Sequence, residues 1–221
     1  MTVVPAPMIA CAYGKQVSTW PARGRHILAS YDADSIYVYQ AYRPSIAQYA
    51  LEHQRLGGED FSYSRMSWIK PNFLWMMYRC GWASKSGQEC VLALRLRRPF
   101  FDELLLAAVS SSFEASPLDS HEAWQRSVAA SEVRLQWDPD HDPAGRPIER
   151  RAIQLGLRGR MLKRLGEEEI LSIEDMTPFV KEQARRLAAS FDDLLLPEER
   201  VYSVTPEAAL RLGTDYYAGT M

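Results

Sequence analysis

Hydrophobic and polar residues alternate along several short stretches of the chain, and this period of two indicates β-strands. β-Branched and aromatic residues are frequent in these stretches, and turn-forming residues separate them. The predicted strands are 26–31, 35–42, 89–97, 132–137, 151–157 and 170–176. We expect the first two to form a hairpin around Asp32-Ala33-Asp34, and 132–137 to form a longer hairpin with 151–157 around a polar loop at 138–147.

Other stretches place apolar residues three and four positions apart, which is the helical period. The predicted helices are 44–54, 71–80, 100–109, 120–130, 177–189 and a short helix after Thr205-Pro206. Pro44 suits the first turn of a helix. Gly81 suits a C-terminal cap, because glycine adopts the left-handed conformation at little cost.

This order of elements predicts a single α+β domain whose mainly antiparallel sheet is split or curved and is flanked by helices. The length of 221 residues fits one such domain. We expect residues 1–22 to form a loosely ordered leader and residues 23–189 to form the domain. Residues 190–221 are expected to form a C-terminal extension with a short helix.

The composition, with 47% hydrophobic and 24% charged residues, is that of a globular protein and excludes a disordered chain. No run reaches the roughly 18 apolar residues that a membrane-spanning helix needs. Cys11, Cys80 and Cys90 form neither a metal-ligand spacing nor an even disulfide set, and the sequence has no export signal. These observations predict a cytoplasmic protein with reduced cysteines and no membrane partner.

Basic and acidic residues occur in alternating blocks, although the net charge is only −2. Residues 150–165 contain six basic and no acidic side chains, and strand 89–97 is expected to be half-buried with Arg95 and Arg97 on a basic outer face. Such blocks either form separate solvated faces or converge in space on a phosphate-bearing ligand. A pI near 6.1 gives no support to attraction of the whole protein to nucleic acid.

The standard catalytic signatures are absent from the sequence. It has no phosphate-binding loop ending in Lys-Ser/Thr, no GxGxxG fingerprint and no GxSxG nucleophile elbow. The histidines are single and show no zinc spacing, and the loop at 138–142 lacks the glycine and the distal glutamate of a calcium hand. We therefore expect no metal cofactor.

Three cations stand out because of their surroundings. Arg65, Lys70 and Arg79 lie within the aromatic-rich segment 61–82, whose apolar side chains are expected in the core. Burying a charge is costly unless a partner compensates it. That partner is either an internal acidic side chain or a bound phosphate.

A second candidate group lies on the predicted hairpin of 132–137 with 151–157. Gln136 and Gln154 are expected to share one face of the sheet, with Asp138 near its rim. An amide orients a substrate but is a poor acid or base. Asp138 and Glu132 are the nearby carboxylates suited to proton transfer or to stabilising an oxocarbenium ion.

Five long motifs are distinctive: 20–29 (WPARGRHILA), 39–44 (YQAYRP), 65–79 (RMSWIKPNFLWMMYR), 136–139 (QWDP) and 151–159 (RAIQLGLRG). Together they resemble a bacterial and fungal family known as the domain of unknown function 4291. The likeness spans about residues 20–184. The family has no established activity, so this resemblance implies a shared domain and no particular reaction.

A weaker resemblance, in the order of elements, is to ADP-ribosyltransferases. It implies NAD as the cofactor and an ADP-ribosyltransferase-like form of the α+β fold. The corresponding elements are the strand at 39–43, the segment 61–65 with Tyr63, and the strand that ends at 136–138. Gln40 stands where those enzymes carry a cation, unless Arg43 takes that role, and no clear catalytic glutamate is present.

The leading hypothesis is an enzyme that binds NAD or a related nucleotide and transfers ADP-ribose to an unknown acceptor. In this hypothesis the pyrophosphate is held by Arg43, Arg65 and Lys70. Tyr63 or Trp68 stacks on the nicotinamide, and Asp138 or Gln136 stabilises the positive charge that develops on the ribose. The candidate catalytic residues are Asp138, Gln136 and Tyr63, and the candidate cofactor-binding residues are Gln40, Arg43, Arg65, Trp68, Lys70, Arg79 and Gln154.

The competing hypothesis is a non-catalytic module that binds nucleic acid or an acidic partner. It uses the basic segments 95–98 and 150–164, and such binding weakens steeply with salt. A third interpretation is that these polar residues form an internal salt-bridge network and that the site lies elsewhere.

Overall fold

The computed structural model describes residues 9–187 and 191–215, and all bounds below refer to these residues. Within them the α-helices are α1 (Tyr13–Val17), α2 (Pro44–His53), α3 (Phe73–Cys80), α4 (Arg98–Ala107), α5 (His121–Ala130), α6 (Gly159–Arg164), α7 (Thr177–Arg186) and α8 (Pro206–Leu212). The strands are β1 (Ala10–Ala12), β2 (Gly24–Arg25), β3 (Leu28–Ala29), β4 (Ser35–Tyr42), β5 (Ser67–Ile69), β6 (Cys90–Arg97), β7 (Val109–Ser110), β8 (Val133–His141), β9 (Pro147–Leu157), β10 (Ile170–Asp175), β11 (Leu195–Pro197) and β12 (Arg200–Val201). None of the described helices is long and apolar enough to cross a membrane.

Strand β6 is the centre of a three-stranded antiparallel sheet with the order β10-β6-β4. Leu92 and Leu94 face a core cluster to which α2 and α4 contribute, whereas Val91 and Ala93 face a second cluster to which α3 and α7 contribute. The prediction of a half-buried strand with a basic outer face is therefore wrong, because helices cover both faces. Arg97, at the end of the strand, is exposed.

Strand β4 pairs with β6 along all eight of its residues. The predicted hairpin of 26–31 with 35–42 is therefore wrong in its main pairing. The turn at Asp32 does form and is closed by one antiparallel bridge between Tyr31 and Ile36. The first segment instead supplies β3, which pairs with β12 near the C-terminus.

The second sheet has the order β2-β9-β8-β7, and β5 also pairs with β9. Strands β8 and β9 form the predicted long hairpin, in which Gln136 lies opposite Gln154. The expected polar loop at 138–147 is shorter than predicted, because β8 continues to His141 and β9 begins at Pro147.

The two sheets meet where the backbone of Tyr39 in β4 exchanges two hydrogen bonds with the backbone of Lys70, at 2.7 and 3.2 Å. Immediately before Lys70, β5 pairs with β9 and belongs to the other sheet. The sheets therefore diverge from this junction and leave a gap between β4 and the β8–β9 hairpin. The predicted single α+β domain with a split, mainly antiparallel sheet is confirmed.

Helix α3 follows soon after this junction; it begins two residues later than predicted, at Phe73, and ends at Cys80 as predicted. The Asn72 side chain accepts a hydrogen bond from the Trp75 backbone N–H at 2.7 Å, and Gly81 ends the helix in the left-handed conformation with φ of 60°. The buried Glu199 carboxylate accepts a second bond at this N-terminus, from the Phe73 N–H at 2.6 Å. These bonds fix the first turn of α3 beside the gap between the sheets.

The other predicted helices are present, with bounds that differ from the predictions by a few residues; they are α2, α4, α5, α7 and α8. Helix α6 and the π-helical turn Leu165–Glu169 that follows it were not predicted. Their apolar residues Met161, Leu162 and Leu165 pack into the larger core cluster.

The ends of the described chain pack onto the domain. Strand β1 pairs with β11, and Trp20 is buried with 7% of its surface exposed. Tyr202 and Leu212 lie in the larger core cluster. Parts of residues 9–22 and 191–215 therefore pack against the rest of the described chain, and the division into leader, domain and C-terminal extension stays a prediction. The parts of these predictions that concern residues 1–8, 188–190 and 216–221 lie outside the described residues.

Candidate functional site

A cleft of about 530 Å³ opens where the two sheets diverge. Its walls come from β4, the segment that leads through β5 to Lys70, helix α3 and the β8–β9 hairpin. The residues that line it are Gln40, Ala41, Tyr42, Arg65, Met66, Ser67, Trp68, Lys70, Met76, Arg79, Gln88, Gln136 and Gln154. Seven of the ten candidate site residues named from the sequence are in this set.

Lys70 is the most unusual group in the cleft. Its backbone joins the two sheets, and its side chain is held inside the protein with 5% of the residue exposed. Within the described residues the ammonium group has no hydrogen-bonding or ion-pair partner. Burial, followed by the nearby positive charge of Arg79, lowers the pKa of Lys70 to about 8, although the Asp138 carboxylate opposes this change.

Arg65 and Arg79 bring two further positive charges to the cleft. Both side chains are exposed, and neither has a hydrogen-bonding or ion-pair partner among residues 9–187 and 191–215. Some arginines elsewhere have carboxylate partners, for example Arg150, which bonds Asp140 at 2.7 Å. The cleft therefore places two unpaired guanidinium groups beside the buried Lys70 ammonium group.

Asp138 connects the two glutamines of the hairpin. Its carboxylate accepts hydrogen bonds from Nε2 of Gln136 at 2.8 Å and from Nε2 of Gln154 at 2.7 Å. Burial raises the pKa of Asp138, and these two bonds and the charge of Lys70 act in the opposite direction. Asp138 is not among the lining residues, so its charge lies behind the two amides.

Gln40 is a third amide in the cleft, supplied by β4. It is 3% exposed, and its Nε2 donates to Ser67 Oγ at 2.7 Å and to the Trp68 carbonyl at 3.2 Å. Its Oε1 is buried and has no partner among the described residues. A buried polar atom without a partner is uncommon in folded proteins and favours a role in binding.

Trp68 provides a half-buried aromatic surface in the cleft. It lies opposite Gly156 of β9, and a Cβ at Gly156 would stand 2.9 Å from the Trp68 ring and 2.7 Å from Met66 Sδ. Both distances are far below normal contact. The absence of a side chain at position 156 therefore lets Trp68 and Met66 lie directly on β9.

Besides Asp138, two candidate residues lie outside this set, Arg43 and Tyr63. Arg43 lines an adjoining hollow of about 270 Å³ that shares Tyr42, Arg65, Met66 and Ser67 with the cleft. Arg43 is exposed at the N-terminus of α2, so it stands at the edge of the combined surface.

Tyr63 is not among the residues that line either the cleft or the adjoining hollow. Its hydroxyl donates to the Leu56 carbonyl at 2.8 Å, and its ring packs edge-on against Phe61. Burial, with the charge of Glu167 as the second cause, raises the pKa of Tyr63 to about 12. These contacts are those of a side chain that holds a loop in place.

Sequence reasoning missed several residues of the cleft. Ser67 and Tyr42 lie inside the distinctive motifs, and their hydroxyls are within 3.2 Å of each other. Their position in those motifs could have identified them as candidate site residues. Gln88 lies in the turn before β6, where nothing in the sequence distinguishes it from an ordinary loop residue.

Several cations of the basic segments 95–98 and 150–164 bond groups within the fold. Arg95 bonds Asp32 at 3.0 Å, and Arg98 bonds the Tyr202 hydroxyl at 3.0 Å. In the second segment, Arg164 bonds both Glu103 and Glu169, and Arg158 donates to backbone carbonyls at the end of α5. Arg151 and Arg160 are exposed and have no side-chain partner among the described residues, so the second segment keeps part of its charge at the surface.

No group of three or more His, Cys, Asp or Glu side chains within the described part of the chain is arranged to hold a metal ion. The polar groups in the cleft are amides, hydroxyls and positively charged side chains, and this set suits a bound organic anion better than a metal ion.

The model of one protein family, described as Domain of unknown function (DUF4291), matches residues 26–202. The chain belongs to this family, and the match covers the strands and the helix that form the cleft. No curated protein shows significant similarity to the chain.

Proposed function

We propose that this member of the DUF4291 family binds a nucleotide in the cleft, with NAD as the leading candidate, and transfers ADP-ribose from it to an acceptor. One observation carries the proposal. Lys70, Arg65 and Arg79 converge on one cleft without acidic partners among the described residues, and Lys70 does so while buried.

A pyrophosphate group supplies what these cations lack. It brings negative charge and several acceptor oxygens to the cleft, and hydrogen bonds between charged groups are the stronger ones in proteins. The folded protein bears the cost of a buried ammonium group whether or not ligand is present. A bound phosphate offsets the cost of burying the ammonium group. Part of the binding free energy therefore comes from removing an unfavourable interaction that the ligand-free protein already has.

The other lining residues suit the remainder of a nucleotide. Trp68 offers an aromatic face on which a base or a nicotinamide ring stacks, and the glutamines offer hydrogen bonds to ring substituents and ribose hydroxyls. The volume of about 530 Å³ falls within the range of small-molecule sites, and the hollow beside it extends the surface toward Arg43.

In the proposed reaction the bond between ribose C1′ and nicotinamide N1 breaks, and its electron pair leaves with neutral nicotinamide. An acceptor atom forms the new bond to C1′ and gives up a proton. The negative charge of Asp138, fixed behind Gln136 and Gln154, would stabilise the positive charge that develops on the ribose. The acceptor's proton passes to solvent, because Lys70 keeps its positive charge while it holds the phosphate.

The binding step is tested by calorimetric titration of the full chain with NAD, with ADP-ribose and a short single-stranded oligonucleotide for comparison. We expect saturable binding of NAD, loss of most affinity in Arg65→Ala, and a melting temperature within a few degrees of wild type, because Arg65 is exposed and unpaired. Arg126→Ala is the matched control, since Arg126 is an exposed arginine of α5 outside the cleft. Unchanged NAD affinity in Arg65→Ala contradicts the proposal, and salt-sensitive binding of the oligonucleotide alone favours the recognition module.

The chemical step is tested by release of nicotinamide from NAD. Asp138→Asn is expected to keep NAD affinity within about tenfold of wild type while losing most of the release rate, because the change removes the charge behind the amides. Equal loss of affinity and rate in this variant would instead indicate a binding role alone.

A further inference from the structure

The three glutamines in the cleft share an orientation that their neighbours enforce. Asp138, when ionised, only accepts hydrogen bonds, so Gln136 and Gln154 must each turn Nε2 toward it. Gln40 is fixed in the same way, because its Nε2 bonds the carbonyl oxygen of Trp68, which is also an obligate acceptor. None of these amides is free to exchange its nitrogen and oxygen.

The consequence is that all three amides have an unused carbonyl oxygen. Among the described residues nothing donates to Oε1 of Gln136, Gln154 or Gln40, and the Gln40 oxygen is also buried. Gln136 and Gln154 lie directly opposite each other on neighbouring strands, so their oxygens belong to one patch. We call Gln136 and Gln154 the glutamine acceptors, because the Gln40 oxygen is enclosed by the protein.

We propose that the glutamine acceptors make the cleft specific for a ring that carries an NH2 group, either a primary carboxamide or an exocyclic amine. This inference rests on the proposed function in taking the ligand to be a nucleotide. NAD carries one group of each kind, the carboxamide of nicotinamide and the amine of adenine.

The discrimination arises because an analogue with oxygen in place of NH2 puts a hydrogen-bond acceptor of the ligand against the glutamine carbonyl oxygens, which are also acceptors. The ligand then loses its hydrogen bonds, and the desolvated oxygens of the site are left unpaired. Sites built to bond a ligand N–H reject analogues that lack it more strongly than they select among apolar groups. We expect the oxygen-bearing analogue to bind roughly 10- to 100-fold more weakly.

The test compares matched ligands that differ only at this group, by calorimetry on the full chain. The dinucleotide series is NAD, nicotinic acid adenine dinucleotide and nicotinamide hypoxanthine dinucleotide, and the mononucleotide pairs are AMP with IMP and CMP with UMP. We expect at least one analogue to bind at least about tenfold more weakly than its amine-bearing partner. Weak binding of the nicotinic acid form places the carboxamide at the glutamine acceptors, and weak binding of the hypoxanthine form places adenine there.

Two results overturn different claims. If NAD binds but neither dinucleotide analogue differs from it by more than about threefold, the specificity inference is wrong and the proposed function stands. If NAD does not bind while AMP or CMP is still preferred over its oxygen-bearing partner, NAD is the wrong nucleotide and the inference stands. If no ligand of the panel binds, or if the amine-bearing and oxygen-bearing ligands bind equally in every comparison, the inference is wrong.

Asp138→Asn separates this specificity from a merely structural role. An asparagine presents one acceptor and one donor, so one glutamine is free to turn its oxygen toward position 138 and its nitrogen toward the cleft. The ratio of affinities for the amine-bearing and oxygen-bearing ligands is expected to fall at least about fivefold. Asp142→Asn is the control, because Asp142 bonds Arg146 in the hairpin turn, outside the cleft, and its ratio is expected to stay unchanged. An unchanged ratio in a folded Asp138→Asn protein contradicts the enforced orientation.

Discussion

Replacing Lys70 with methionine is expected to stabilise the free protein while it removes nucleotide binding. Methionine retains an unbranched side chain of similar length but carries no charge. Lys70 is 5% exposed and has no acidic or hydrogen-bonding partner within the described residues. Removing its charge therefore breaks no hydrogen bond or ion pair, and it removes the electrostatic cost of burying the ammonium group.

The size of that cost follows from the pKa of Lys70, which burial and then the charge of Arg79 lower from 10.5 to about 8. A tenfold change in an acidity constant corresponds to about 1.4 kcal/mol, so the charged form costs the folded state about 3 kcal/mol. Because the folded pKa lies below the unfolded one, this cost is fully present below about pH 8 and disappears as the pH rises toward 10.5.

Urea unfolding at pH 7 and pH 9.5 measures the effect. Lys70→Met is expected to gain up to about 3 kcal/mol at pH 7 and clearly less at pH 9.5. Lys181→Met is the control, since Lys181 is an exposed lysine of α7 outside the cleft, and its effect is expected to be within about 0.5 kcal/mol at both pH values. A destabilised Lys70→Met protein, or a gain that does not depend on pH, would show that the ammonium group is satisfied inside the fold.

Three further predictions concern the cleft and its support. NAD affinity is expected to fall as the pH rises through about 8, because deprotonation of Lys70 removes a charge that holds phosphate, and Lys70→Arg should flatten this profile in calorimetric titrations. Gly156→Ala is expected to displace Trp68 and weaken NAD binding at least about tenfold, with a changed tryptophan emission spectrum, whereas unaltered emission and affinity would contradict the contact. Arg150→Ala is expected to lose about 3–5 kcal/mol in urea unfolding because it leaves the Asp140 carboxylate buried without its ion-pair partner, and a loss below about 1 kcal/mol would refute that account.

Local patterns predicted most elements of the fold, because their signals lie within a few residues. Pro44 and Gly81 bounded helices correctly, and the period of two placed Gln136 and Asp138 on one face of β8. The long hairpin then brought Gln154 to the same group. The cations were found because charge is anomalous within an apolar segment.

The pairing of distant segments was not predictable in this way. Strand β4 pairs with β6, about 55 residues later, because both are apolar enough to be buried on two faces, and the local turn at Asp32 carried no information about that choice. The docking of β1 on β11 rests on three residues of each strand, which is too short to produce a periodic signal. Tyr63 entered the candidate site through the order of elements alone, and the fold uses its hydroxyl to bind the Leu56 carbonyl.

The most direct test of the central claim is calorimetric titration of NAD into wild type and Lys70→Met side by side. Saturable binding to wild type and none to a more stable Lys70→Met protein is the expected result, because one unpaired ammonium group accounts for both effects. Equal NAD binding by the two proteins, or no binding by wild type, would contradict the claim that the unpaired cations of this cleft hold a nucleotide.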